Sequence, residues 1–139
     1  MPFSNALLTQ LCQLVFGQTT YTPPATIYVA LSLTTPGADG SNVTEPPANA
    51  GYVRFAIPND TSHFHAAPGQ PPTGERQSNT LAIQFPVATL DWGQITYLAL
   101  YDAPSGGAFL GFGQLATPQN VVGGDIFQVA ADTLTITMQ

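Results

Sequence analysis

The chain has 139 residues, a net charge of −6 and only 7% charged residues, against 44% hydrophobic ones. That is one domain's worth of chain, with enough apolar material for a real core. There is no lysine, and the only cations are Arg54 and Arg76. Two arginines cannot neutralise a phosphate backbone, so direct nucleic-acid binding is not expected. No apolar run reaches membrane-spanning length. No basic region precedes an apolar stretch at the N-terminus, so no signal peptide is expected. A surface this poor in charge repels its neighbours weakly, which suits close assembly and a homo-oligomer. The other reading is a monomer with a neutral polar skin.

Residues 4–16 read as a helix, with Ser4 as N-cap and Gly17 at the C-terminal glycine position. Leu7, Leu11, Leu14 and Val15 form its apolar stripe, widened by Leu8 and Cys12, and this stripe must be covered by the domain's own sheet or by a partner. The chain's own sheet is the expected cover. Cys12 is the single cysteine. It excludes an intrachain disulfide and a cysteine zinc site, and its apolar neighbours suggest a buried thiol.

Thr26–Leu33 is dense in β-branched and aromatic residues and reads as a strand. Residues 34–51 turn to Pro, Gly, Ala, Asn and Thr, the chemistry of loops. A short strand is expected at Tyr52–Ile57, followed by a second long loop at 58–79. The two loops hold Pro36, Pro46, Pro47, Pro58, Pro68, Pro71 and Pro72, seven of the thirteen prolines. Loops of this length are uncommon unless they bind something or lack order, and proline lowers the entropy cost of holding them extended. They are read as arms that could lie across a neighbouring subunit.

The second half is nearly continuous strand signal. Thr80–Phe85 alternates, with Leu81, Ile83 and Phe85 on one face. Ile95–Tyr101 reads as a central strand covered on both faces. Residues 102–107 form a turn, Ala108–Leu115 returns as a hairpin, and 121–125 is another turn. Ile126–Ala130 and Thr133–Met138 close the chain, with Leu134, Ile136 and Met138 sharing a face. One helix and many short strands predict a single, mainly β domain over 1–139, an antiparallel β-sandwich or barrel-like fold with long Pro-rich loops.

His63 and His65 form an H-x-H pair, which on a strand would point the same way and could share a metal with Asp60 or Glu75. No further histidine or second cysteine exists, so loop histidines without metal are the expectation. Asp39, Asp60, Asp91, Asp102, Asp125 and Asp132 mostly sit beside Gly, Pro or Asn, where a short carboxylate caps backbone N–H groups. No nucleophile elbow, phosphate loop or calcium loop is present. No catalytic residue, cofactor or metal is assigned, and an enzyme is not expected. Trp92 reads as a core anchor, with an interface hot spot as the alternative. Arg54, a rare cation, pairs with a carboxylate either within the chain or across a subunit boundary. Arg54, His63, His65, Pro71, Pro72, Arg76 and Trp92 are the interface candidates.

Several anchors follow one another in an order that resembles a family of small tailed-phage proteins labelled tail-fibre or virion structural proteins. They are Val15-Phe-Gly17, Tyr21–Ser32, Gly51-Tyr-Val-Arg54, Phe85–Gly93, Ile95–Asp102, Gly106–Gly113, Leu115-Ala-Thr-Pro118 and Gly124–Gln128. The resemblance runs nearly end to end. It implies a location in the phage particle, assembled in the host cytoplasm. The loop at 58–79 looks longer than the family's usual connection and favours a contact arm. The first expectation is a capsid cement or decoration protein bound to the major capsid protein. The alternatives are a tail-fibre or baseplate component bound to tail proteins and, less favoured, a host-glycan-binding module. β-addition at a sheet edge is one possible mode of contact.

Overall fold

A computed structural model describes residues 3–66 and 76–137. The fold is mainly β and every strand pairing is antiparallel, as the sequence predicts. A helix, α1 (Asn5–Val15), precedes β1 (Thr26–Ser32), β2 (Phe55–Pro58), β3 (Phe64–Ala66), β4 (Arg76–Asn79), β5 (Ile83–Gln84), β6 (Gly93–Tyr101), β7 (Phe109–Val121), β8 (Gln128–Val129) and β9 (Thr135–Thr137). The principal sheet has the order β2-β1-β6-β7. A smaller sheet has the order β3-β4-β9, and β5 pairs with β8.

The two faces of the principal sheet follow from its register. Val29 lies opposite Leu100 and Leu31 opposite Leu98, which places their side chains in the main core. The alternate residues Tyr28 and Ala30 lie opposite Tyr101 and Ala99 and build a second, smaller cluster with Phe109. β6 is therefore covered on both faces at its C-terminal end, as its dense apolar run predicts. The main core is aromatic. Phe85 meets Tyr52, Phe55 and Phe127 with ring centroids 6.3, 6.0 and 5.7 Å away, and Tyr52 meets Trp92 edge-on at 5.5 Å. Such pairs add to the burial of their large apolar surfaces.

The helix keeps its expected caps. The Ser4 hydroxyl accepts from the Leu7 N–H and donates to the Phe109 carbonyl. Gly17 takes φ +71°, and the amides of Gly17 and Gln18 close back on the carbonyls of Leu14 and Gln13. The cover of its stripe differs from expectation. Only Leu7 is buried, because the helix meets the sheet at its N-terminal end and runs on past it. Cys12 is exposed rather than buried for the same reason.

Two other expectations are corrected. The region 58–79 is not all loop, since β3 and β4 lie within it. Their pairing with each other and with the distant β9 compensates for a weak local pattern. The alternation over Thr80–Phe85 breaks at Leu81, which is 60% exposed while Ile83 and Phe85 are buried. The Asn79 side-chain amide binds the Leu81 carbonyl and turns the chain there. Residues 34–51 lack strands, in keeping with their loop composition, and are held against the domain. Thr44 accepts from the Leu33 N–H, Ala38 accepts from the Asn5 N–H, and Gly40 packs against Phe109, so the segment lies over the second face of the sheet. Pro68, Pro71, Pro72, Glu75 and Met138 lie outside the described residues.

Asn79 is the polar residue on which the smaller elements converge. It is 1% exposed. Its amide nitrogen donates to Leu81 and Ala130, its side-chain oxygen accepts from Leu134 N–H, and its own carbonyl accepts from Asp132 N–H. Asn79→Ala should cost about 2–3 kcal/mol, because it strands buried backbone groups. Asn79→Asp should also destabilise, by placing a charge against two carbonyls. Chemical denaturation of both variants checks this.

Candidate functional site

The densest polar constellation centres on Arg54. Its guanidinium grips Glu45 with two parallel bonds, Nε to Oε1 at 2.9 Å and Nη2 to Oε2 at 2.8 Å. Its Nη1 donates to the carbonyls of Ala103 and Gly106 at 2.9 and 2.8 Å. The plane lies 3.8 Å above the Tyr101 ring, a cation–π contact. The Tyr52 hydroxyl donates to Glu45 Oε1 at 2.7 Å and accepts from the Leu31 N–H at 3.1 Å. β2 pairs with β1 only as far as Val29. The Tyr52 hydroxyl thus stands in for a missing strand partner.

The arrangement is a brace. It ties the loop before Tyr52 and the turn after β6 to the edge of the principal sheet. The Arg54 side chain is 6% exposed and that of Glu45 27%. Burial works against the Glu45 charge, but hydrogen bonds from Arg54 and Tyr52 outweigh it and hold the carboxyl below its usual range. Burial likewise opposes the Arg54 charge, and Glu45 more than compensates. Burial and the bond to Glu45 push the Tyr52 phenol up. The geometry places the Arg54 pair within the chain. A cavity of about 370 Å³ beside it is walled by Glu45, Tyr52, Arg54 and Pro104, and the guanidinium's bonds point into protein.

The histidines take separate partners. His63 Nδ1 lies 2.6 Å from Asp60, whose carboxylate also accepts from the N–H groups of Ser62 and His63. These bonds, that of the His63 ring foremost, hold the Asp60 carboxyl below its usual range. His65 contacts Asp132 through Nε2, which joins β3 to the turn before β9. Asp132 sits at φ +64°. Among the described residues no three His, Cys, Asp or Glu side chains converge on one point. The other aspartates take the turn roles expected of them, with Asp39, Asp91, Asp102 and Asp125 accepting from the N–H groups of Ser41, Gly123, Ala108 and Val122.

Of the remaining interface candidates, Trp92 is 2% exposed and its indole N–H binds the Ala50 carbonyl at 2.9 Å. It anchors the core and presents no surface. Arg76 opens β4, and Pro71 and Pro72 lie outside the described residues. Among the described candidates, Arg54, His63 and His65 each take a separate carboxylate partner. Glu45, Tyr52 and Asn79 escape a reading for site residues. Glu45 carries no usable signal, because the chain has eight carboxylates for two arginines.

Both edges of the principal sheet are guarded. Phe3 bridges to Gly111, and the Ser4 N–H donates to the Leu110 carbonyl, which covers the first half of β7. Its second half carries Pro118 and an irregular register opposite Thr96, since Ile95 faces Gln119 while Tyr97 faces Gln114. β2 is four residues long and ends at Pro58. Short edges, prolines and bulges discourage strand addition. The apolar surface left open consists of side chains instead. Leu14, Val15 and Phe16 crowd the end of the helix. Val87, Leu90, Val122 and Ile126 are exposed on two loops tied together by Ala88, Asp125 and Gly124 backbone bonds.

Residues 2–137 match the family model Gp80, described as Podophage GP4 fiber I protein gp80. The chain belongs to this family. It is thus a phage structural protein, and its place is the virion. The Gp80 match spans the helix, the nine strands of the described residues and the brace. No curated protein sequence matches the chain. No helix among the described residues is long and apolar enough to cross a membrane.

Arg54→Met should destabilise the domain by about 3 kcal/mol, because it leaves Glu45 and two loop carbonyls without their cation. Arg54→Lys should recover only part, since an ammonium cannot make the paired fork. The Glu45 carboxyl is held below its unfolded value, so its contribution is complete above the usual glutamate range of roughly 4.3. It is lost as pH falls through the lower folded value. The stability difference between wild type and Glu45→Gln should accordingly shrink on acidification, which denaturation at a series of pH values measures.

Proposed function

We propose that this protein is a non-enzymatic component of the phage fibre apparatus, attached through surface contacts to tail or baseplate proteins. The observation that carries this is the family match over nearly the whole chain, to proteins described as a podophage fibre component. The site chemistry supports it. Arg54, Glu45, His63, His65 and the aspartates with traced bonds hold loops and turns in place, as a load-transmitting part requires. The charge-poor surface and the guarded sheet edges favour contact through side-chain patches over strand exchange.

A second reading is a capsid cement protein bound across subunits of the major capsid protein. Its support is the exposed apolar group Val87, Leu90, Val122 and Ile126 on two joined loops, suited to a junction between neighbours.

Copy number separates the two. Quantitative mass spectrometry of purified virions should find this chain at a small fraction of the major capsid protein, and antibody labelling should place it on fibres. Near-equal copy numbers would reverse the order of the readings, and absence from the particle would remove both.

A further inference from the structure

The N-terminal segment is fastened to the domain near its start. The Ser4 N–H donates to the Leu110 carbonyl at 2.7 Å, and the Ser4 hydroxyl donates to the Phe109 carbonyl at 2.6 Å. The Asn5 N–H reaches the Ala38 carbonyl at 3.0 Å, and Phe3 bridges to Gly111. Leu7 is buried beside these contacts. Beyond them, every residue from Cys12 to Thr20 is exposed. The hydrogen bonds traced over residues 17–20 are local, from Gly17 and Gln18 back to Leu14 and Gln13 and from Thr19 to Thr20. The chain is fixed again at Pro24 and Ala25, whose carbonyls accept from Asn59. An apolar cavity of about 260 Å³ lies beneath the segment, walled in part by Phe3, Leu7, Tyr21 and Leu110. The inner face of the segment therefore forgoes part of the packing that would hold it down.

We infer that residues 3–16 are a strap that opens as one unit about a hinge at residues 17–20, and that this opening uncovers the edge of β7 without unfolding the domain. Ser4 makes the strap a unit. The hydroxyl that binds Phe109 also accepts from the Leu7 N–H, and the Ser4 carbonyl accepts from the Leu8 N–H. The contact with β7 and the first turn of the helix are therefore lost together. The helix has 11 residues, and an isolated helix shorter than about 12–15 residues is marginal in water. Once released, it melts. The rest of the domain keeps its order, because β7 retains its ladder to β6 over residues 109–114 and the rings around Phe85 are built without the strap. Opening takes the Ser4 donors away from the carbonyls of Phe109 and Leu110, and a bare strand edge is a template for pairing with another strand. The other edge, β2, is blocked permanently by its shortness and by Pro58. The first half of β7 is blocked by a removable part, so the strap controls when that edge is available.

Native-state hydrogen exchange on the full, purified chain tests this. In wild type the amides of Ser4, Asn5, Leu7, Leu8 and Leu11 should exchange through one shared opening. Its dependence on denaturant should be shallower than that of core amides such as Leu31, because a partial opening exposes little surface. Ile83→Val, in the core and away from the strap, should speed exchange of the core amides about fivefold and leave the strap amides unchanged. Ser4→Ala should speed the strap amides about tenfold, as the loss of a helix cap and a second bond predicts. Leu110 is 8% exposed and lines the cavity under the strap. A thiol placed there by Leu110→Cys, with Cys12→Ser to remove the exposed one, should react with a thiol reagent through the same opening that exchanges the Ser4 amide of that variant. Strap amides that speed up with the core in Ile83→Val, separate openings for Ser4 and Leu11, no response to Ser4→Ala, or a thiol at position 110 reached only on global unfolding would each overturn the proposal.

Discussion

Arg54 has one carboxylate to neutralise it and two loop carbonyls to hold it, and the end of the principal sheet takes its form from that arrangement. The guanidinium lies between the Glu45 carboxylate and the turn carbonyls of Ala103 and Gly106, with its face on Tyr101. A cation so nearly buried is tolerated only because every side of it is matched. Glu45 in turn orients Tyr52, whose hydroxyl binds the Leu31 amide beyond the point where β2 stops pairing. Tyr52 also stacks with Phe85 and meets Trp92 edge-on. One ionic pair thus connects the aromatic core, the sheet edge and two loops.

That connection explains how so few charges suffice. In most domains surface ion pairs are numerous and individually weak. Here the charges whose bonds can be traced occupy positions where one side chain fixes a segment. Asp102 closes the turn between β6 and β7, Asp91 ties two loops through the Gly123 amide, and Asp132 receives His65 from another strand. Asn79 does comparable work without charge. The surface between these points remains neutral and partly apolar, which lowers the electrostatic barrier to assembly. For a chain of the Gp80 fibre family, order is concentrated inside the domain while the outside is left available for contact.

The loop over 34–51 shows how composition and tertiary structure diverge. Proline and glycine exclude regular structure there and say nothing of where the segment lies. It lies against Phe109 and the N-terminus of the helix because the second face of the sheet, with Ala30 and Ala99, is apolar and needs cover. The helix shows the converse. Its amphipathic stripe reads as one continuous contact, yet the domain covers only its first part.

The sequence by itself determined the fold class, the strands with dense local signal, the helix with both caps, the turn roles of the aspartates and the family. Each of these rests on short-range physics, namely side-chain periodicity, cap hydrogen bonds and the conformational limits of Gly and Pro. Only the tertiary structure decided that Glu45 is the partner of Arg54, that β3 and β4 exist, and that Leu81 and Cys12 face outward. Those outcomes depend on which distant segment a residue meets. β4 is stabilised by pairing with β9, nearly sixty residues away in the chain, and Arg54 by carbonyls about fifty residues downstream. Neither meeting leaves a mark on the local pattern. A strand that owes its existence to a remote neighbour carries no stronger local signal than the loop around it.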